Sequence, residues 1–214
     1  FWGHFFIIKI AMTICQKVYL QFKRTIAIFG SILGILVCFA LLWWWIIPIN
    51  AIVTKGHPFF KQQRLGKNKK VFGLIKFRSM RVDANPNLAP SDMRKSTQEK
   101  METGFGKFLR KTSFDETPQL INILCGEMAF IGPRPGAAVN EEELIIEREK
   151  YTPNAYAVKP GLSGLAQVKM HRQHNPALKA KYDHEYVVKM SLWLDIKLFV
   201  LTCLRIFQRK DGAR

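Results

Sequence analysis

Between Thr25 and Thr54 run thirty residues without one Asp, Glu, Lys, Arg or His. Inside this stretch lies ILGILVCFALLWWWII, residues 32–47. About 20 apolar residues suffice for a helix to cross the hydrocarbon core of a bilayer. A soluble domain of 214 residues could not easily bury such a segment on every side. A cleaved signal sequence fits poorly, because the run is too long and no small-x-small site follows it. The segment is therefore read as a membrane helix. Residues 1–22 are also apolar but are interrupted by Lys9 and Lys17, which fits an interfacial or truncated extension. The chain starts with Phe rather than Met, as a fragment would.

Two topologies compete for this helix. Lys23-Arg24 stand before it, and Lys55, Lys61, Arg64, Lys67, Lys69 and Lys70 follow it. Cationic flanks favour the cytoplasmic side. A spanning helix puts one cluster on the opposite side, whereas a re-entrant hairpin keeps both inside. Pro48 removes a backbone donor and clashes with the preceding turn, so a bend is expected there. It lies late in the segment, which leaves a short return arm, and kinked spanning helices exist. The re-entrant form is preferred. Trp43-Trp44-Trp45 would ordinarily mark an interface, a position in tension with a hairpin apex.

The net charge is +17, and its distribution narrows the partners. Residues 55–110 hold fourteen Lys/Arg against four acids, so +10 falls immediately after the membrane segment. A polybasic stretch in that place points to anionic lipid, at about 1 kcal/mol per cation near the surface. No nucleic-acid-binding signature accompanies it, so nucleic acid is not expected. Four scattered Cys exclude a disulfide scaffold and structural zinc. Sixteen Phe and five Trp exclude disorder.

The remainder reads as a small mixed lobe. Residues 57–80 form a hairpin around the turn GKNKK, and 83–103 are a polar loop. Helices are expected over 104–111, 117–125 and 141–151, the last as a solvated acidic face. GEMAFIGPRPG (126–136) holds a short strand and a Pro-rich loop, and KPGLSGLAQV (159–168) ends in another short strand. Residues 190–210 read as an interfacial amphipathic helix, with core packing as the alternative.

Three motifs carry chemistry. Asp115-Glu116 offers adjacent carboxylates that serve as nucleophile, base or metal ligands. The local alternative is structural: Ser113-x-x-Glu116 matches a capping box, and Thr117-Pro118 a helix start. Gly132-Pro133-Arg134-Pro135 holds an Arg on a stiff loop, suited to bidentate phosphate binding or simply a rigid turn. Gly161-Leu-Ser-Gly164 lets backbone N–H groups approach an anion, a weak signal. His171 and His174 lack a third ligand and read as polar contacts rather than zinc ligands.

Taken in order, GHPFFKQQRLGKNKKVFGLIKFRSM (56–80), SFDETPQLINILCGEMAFIGPRP (113–135), KPGLSGLAQV (159–168) and YDHEYVVKMSLWLDIKLFVLT (182–202) resemble the bacterial sugar transferases. These are the monotopic polyprenyl-phosphate phosphoglycosyl transferases. The similarity runs from about Lys23 to about Gln208, and the 113–135 block is long and specific. It implies transfer of a sugar-1-phosphate from a UDP-sugar to polyprenyl (undecaprenyl) phosphate, releasing UMP. This would be the first membrane step of a cell-surface glycoconjugate pathway such as exopolysaccharide or lipopolysaccharide synthesis. By position Asp115 resembles the nucleophile that forms an aspartyl-phosphosugar, and Glu116 its partner. Mg²⁺ is implied, with both acids as its ligands. The implied substrate-binding set is Arg134 with Pro133 and Pro135, together with Lys76, Arg78, Lys159 and Gln167. Asp183 and Asp195 are expected to be polar scaffolding.

The expected architecture is α+β. Residues 1–22 are an extension and 23–54 a membrane helix bent near Pro48. Residues 55–210 form a cytoplasmic catalytic domain with interfacial helices, and 211–214 a tail. The expected place is the bacterial inner membrane, with the lobe on its cytoplasmic face. Ala27 departs from the family's usual acid, Ile47 from its Ser before the membrane Pro, Leu165 from a Trp, Lys159 from an Arg and Ser79 from a Thr. The alternative reading is a silent, lipid-phosphate-binding relative acting as an assembly partner. No motif names the sugar or the oligomeric state.

Overall fold

The computed structural model describes residues 14–80, 102–136, 141–170 and 175–208. Most of the first 22 residues, the 83–103 loop apart from its end, the His171/His174 pair and the C-terminal tail therefore lie outside the described residues.

The uncharged segment folds as helix throughout. Helix α1 spans Ile14–Cys38, a π-helical turn covers Phe39–Trp43, and α2 runs Trp44–Thr54. Pro48 lies inside α2. The irregularity expected at Pro48 thus appears five to nine residues earlier, at 39–43. A π-turn shifts the bonding register by one residue, and such turns are one of the recognised ways a helix bends.

The long helix is not isolated. Its lobe-facing side packs from end to end against the remaining chain. The Tyr19 hydroxyl donates to Asp195 at 2.6 Å, and Lys23 Nζ pairs with the same carboxylate at 2.6 Å. Arg24 donates to the carbonyls of Ile123 and Leu124 at 2.6 and 2.8 Å. Those carbonyls close a helix C-terminus, where a cation complements the dipole. Ala27 is buried, and a Cβ on Gly30 would stand 3.0 Å from the Phe130 ring, so the helix approaches the lobe closely there. Farther along, Trp43 and Ile46 are buried with Phe77 and Leu109, and Asn50 donates to the Pro58 carbonyl. Lys23 and Arg24 read from sequence as a charge flank; in the fold they anchor the helix. Trp43 likewise belongs to the protein core, while Trp44 is 63% exposed. The opposite side presents Val18, Phe22, Ile26, Phe29, Leu33 and Leu36 outward.

The lobe is mixed, as expected. Strands β1 (Phe59–Leu65) and β2 (Val71–Phe77) form the antiparallel hairpin, with Phe59 opposite Phe77 and Leu65 opposite Val71. Helices α3 (Gly104–Thr112) and α4 (Gln119–Leu124) follow. Strand β3 (Ala129–Ile131) pairs in parallel with β4 (Gly161–Ser163). Helix α5 spans Glu142–Glu149, α6 Leu165–Lys169, α7 Pro176–Lys189 and α8 Leu192–Gln208.

Two local expectations change. Residues 165–169, read as the end of a strand, are helical, because Gly164 breaks the strand and Leu165, Ala166 and Val168 pack inward. Helix α5 is not a wholly solvated face: Leu144 and Arg148 are buried. Helix α8 combines both readings. Asp195 and Leu198 face the core, whereas Trp193, Ile196, Phe199 and Val200 face outward.

Candidate active site

Helix α3 ends at Ser113, whose φ of 60° turns the chain sharply. A single 3-10 turn, Phe114–Glu116, then presents two carboxylates side by side. Thr117 closes that turn: its hydroxyl donates to the Phe114 carbonyl at 2.9 Å and accepts from Trp43 Nε1 at 3.0 Å. The long apolar helix therefore braces the acidic pair. The capping box suggested by Ser113-x-x-Glu116 does not form, because Ser113 makes no side-chain cap and Glu116 points elsewhere.

Glu116 accepts from Arg134 at 2.7 Å and from Lys76 at 3.2 Å. Burial pushes its carboxyl up, but Arg134 and Lys76 together outweigh burial and hold it at about 2. Among the described residues Asp115 makes no ion pair. Burial and the neighbouring Glu116 charge raise its carboxyl to about 6, against the pull of Lys76, Arg110 and Arg134. The two adjacent acids are thus driven apart in character. Glu116 is a fixed, neutralised anion. Asp115 is an untied carboxylate that keeps basicity and nucleophilic strength near neutral pH.

The Arg134 loop is held from behind. Gly132 N–H donates to Ser163 O at 2.8 Å and Gly161 N–H to Pro133 O at 2.9 Å. A Cβ on Gly161 would fall 2.1 Å from the Gly132 nitrogen, so both glycines are required by this crossing. The sequence reading had Gly161-Leu-Ser-Gly164 offering N–H groups to an anion. In the fold the Gly161 N–H is engaged by the loop instead. Arg148 completes the support. It donates to the Arg134 carbonyl at 2.9 Å and pairs with Asp183 at 2.5 Å, both side chains being at most 2% exposed. Arg64 donates to the Pro135 carbonyl at 3.3 Å.

Of the residues expected in the site, Lys76, Asp115, Glu116 and Arg134 converge, with Pro133 and Pro135 framing the loop. Arg78 instead donates to the His57 carbonyl at the open end of the hairpin. Gln167 donates to the Leu162 carbonyl, beneath the loop. Lys159 lies in a separate cleft beside Arg24. Sequence reasoning missed Arg64, Arg110, Arg148 and Trp43. A buried Arg in an acidic helix and a Trp in an apolar run carry no local signal of where they point.

Among the described residues no three His, Cys, Asp or Glu side chains converge as a metal cage. The acidic pair nonetheless offers the carboxylates that a Mg²⁺ site needs. Mg²⁺ keeps several waters and needs only one or two carboxylates beside substrate phosphates. Asp115 and the less engaged oxygen of Glu116 are the groups that would hold it.

The acid side of a rate–pH profile tests the electrostatics. A step that needs the ionised Asp115 carboxylate should slow as pH drops through about 6. An ordinary Asp would hold its activity to a pH about two units lower. Arg110→Gln removes one cation that lowers this value, so the inflection should move to higher pH. An inflection that stays put in Arg110→Gln would contradict the assignment.

Comparisons with known proteins identify what this chain is similar to. The family model described as "Bacterial sugar transferase" matches residues 18–209. The UDP-glucose:undecaprenyl-phosphate glucose-1-phosphate transferase of Xanthomonas campestris pv. campestris is 40% identical over 167 residues, 74% of this chain and 33% of that protein. Galactosyl transferase CpsE of Streptococcus agalactiae serotype III is 34% identical over 218 residues, 97% of this chain and 47% of that protein. The uncharacterized sugar transferase EpsL of Bacillus subtilis is 34% identical over 187 residues, covering 86% of this chain and 85% of EpsL. The chain spans about a third to a half of the length of the first two.

Proposed function

Because this chain belongs to the bacterial sugar transferase family, we propose that it transfers a sugar-1-phosphate from a UDP-sugar to undecaprenyl phosphate. The observation that carries this reading is the split pair: Glu116 locked between Arg134 and Lys76, with Asp115 beside it making no ion pair among the described residues.

An Asp115 carboxylate oxygen attacks the β-phosphorus of the UDP-sugar. A new O–P bond forms, the bond to the α-phosphate oxygen breaks, and UMP leaves. The phosphate oxygen of undecaprenyl phosphate then attacks the same phosphorus. The aspartyl O–P bond breaks, polyprenyl-diphosphate-sugar departs and the carboxylate is regenerated. Arg134 and Lys76 balance the Glu116 charge, so the dyad's two negative charges do not repel an incoming diphosphate unchecked. In this reading Arg134 holds a phosphate with the donors that Glu116 does not use. Mg²⁺, when bound, would neutralise diphosphate charge and polarise the phosphoryl group.

The same reading places the protein at a membrane, with the lobe on the cytoplasmic face where UDP-sugars occur. The helix from Tyr19 to Asn50 packs against one lobe near both of its ends. A spanning helix would draw that polar lobe into hydrocarbon, where its irregular backbone would go unsatisfied. A re-entrant or interfacial placement avoids this. It turns the outward apolar side of α1 and the outward face of α8, including Trp193 at 76% exposed, toward lipid. Cysteines introduced at positions 20 and 60 should both react with a membrane-impermeant reagent only from the cytoplasmic side. Reaction from opposite sides would rule out the re-entrant form.

The activity itself is tested by UMP release. Purified protein with undecaprenyl phosphate and Mg²⁺ should release UMP from at least one member of a UDP-sugar panel, and the responding member identifies the sugar. Release that is equally slow, at background level, in wild type and Asp115→Asn would instead favour the silent lipid-binding relative.

A further inference from the structure

Lys159, expected at the substrate, sits elsewhere, and its surroundings are unusual. A cleft of about 490 Å³ is lined by Lys17, Lys23 and Arg24 on α1, by Lys67 in the hairpin turn and by Lys159 before β4. Its floor is apolar, with Leu20, Met128 and Val158. None of the residues lining it is acidic. None of them is Asp115, Glu116, Lys76 or Arg134.

We propose that this cleft is a second anion site, which takes a phosphate-bearing ligand apart from the acidic pair. Five cations from three separate parts of the chain converge on it. Lys23 is neutralised by Asp195, but among the described residues Arg24 meets only main-chain carbonyls, which leave its charge in place. Among the described residues Lys17, Lys67 and Lys159 make no ion pair. Burial, and then the Arg24 and Lys67 charges, push the Lys159 ammonium toward losing its proton. Ordinary surface lysines spread apart into water; these are held together by the helix, the turn and the β4 approach. An oxyanion relieves that repulsion, and phosphate accepts from several such donors at once. The volume falls within the ~300–1,000 Å³ of small-ligand sites. The apolar floor suits a ligand that carries more than bare phosphate.

The phosphate could come from a soluble ester or from the headgroup of an anionic lipid, because α1 forms one wall. Lysine acetylation, read by mass spectrometry on wild-type protein in phosphatidylcholine nanodiscs, separates these sources. One arm adds millimolar inorganic phosphate, and the other replaces part of the lipid with phosphatidylglycerol. Lys189, 67% exposed on the far end of α7, is the internal reference. Severalfold protection of Lys67 and Lys159 relative to Lys189 is expected in at least one arm. Protection by phosphate assigns a soluble ligand, and protection by phosphatidylglycerol alone assigns a lipid headgroup. Protection should weaken at the remaining lysine in Lys67→Gln and in Lys159→Gln. Unchanged labelling in both arms, or a change matched by Lys189, overturns the proposal. The readout is binding, so it stands or falls separately from transferase activity.

Discussion

Replacing Asp115 with asparagine should lower UMP release by at least ~10³-fold while leaving the protein folded, because the substitution removes the only group proposed to bond to phosphorus. Asparagine keeps the shape and loses the negative charge. Wild-type protein given UDP-sugar without undecaprenyl phosphate should carry one sugar-phosphate on the Asp115 peptide by mass spectrometry, and the variant none. Stability provides an independent check. The Asp115 pKa is raised from 3.8 to about 6 in the fold, so the folded state favours its protonated form. That contribution is complete below about pH 4 and is lost as pH rises through about 6. Above pH 7 the ionised, partly buried Asp115 therefore weakens the fold. Asp115→Asn should melt no lower than wild type at pH 8, and the gap should close at pH 4. A variant that melts far lower at pH 8 would show that Asp115 has a structural role. Retained turnover would remove it from the chemistry.

The second large effect belongs to Asp183 and Arg148. Both are almost fully buried and paired at 2.5 Å. Asp183→Ala leaves a guanidinium buried without its counter-charge, a loss of about 3–5 kcal/mol. At ~2–4 °C per kcal/mol for a chain of this size, the apparent Tm should fall by roughly 6–20 °C. The double change Arg148→Met/Asp183→Leu removes both charges and should recover most of that loss. Activity should not recover with it. Arg148 also donates to the Arg134 carbonyl, so the loop loses its rear support in the double variant. The expected signature is a near wild-type Tm with a raised KM for the UDP-sugar. A double variant as unstable as Asp183→Ala would show that the charge pair is not what matters. One with wild-type KM would remove Arg148 from positioning.

Much of this was legible without coordinates. The hairpin over 57–80 follows from a basic turn between the mixed run FFKQQRL and the largely apolar run VFGLIKF, which is local information. The dyad and the Pro-Arg-Pro loop were found as motifs, and the fold brings Glu116 and Arg134 together. The local reading of Glu116 as a capping-box residue gave way because a buried carboxylate gains more from two cations than from one backbone N–H. Arg78, Lys159 and Gln167 were assigned to the site by resemblance, and their side chains point to other neighbours. Spacing along a chain specifies the backbone path better than side-chain direction, which neighbours distant in sequence decide.

The long uncharged segment marks the same division. Sequence alone determined that residues 25–54 form a helix too apolar for ordinary burial, because hydropathy and length are local sums. It also determined that cations crowd both sides of that helix. Only the tertiary structure decided what those residues touch. Lys23 meets Asp195, 172 positions away by number, Arg24 caps a helix in the lobe, and Trp43 braces Thr117 beside the acidic pair. Such contacts depend on which faces meet when the elements pack, and a linear pattern does not record that.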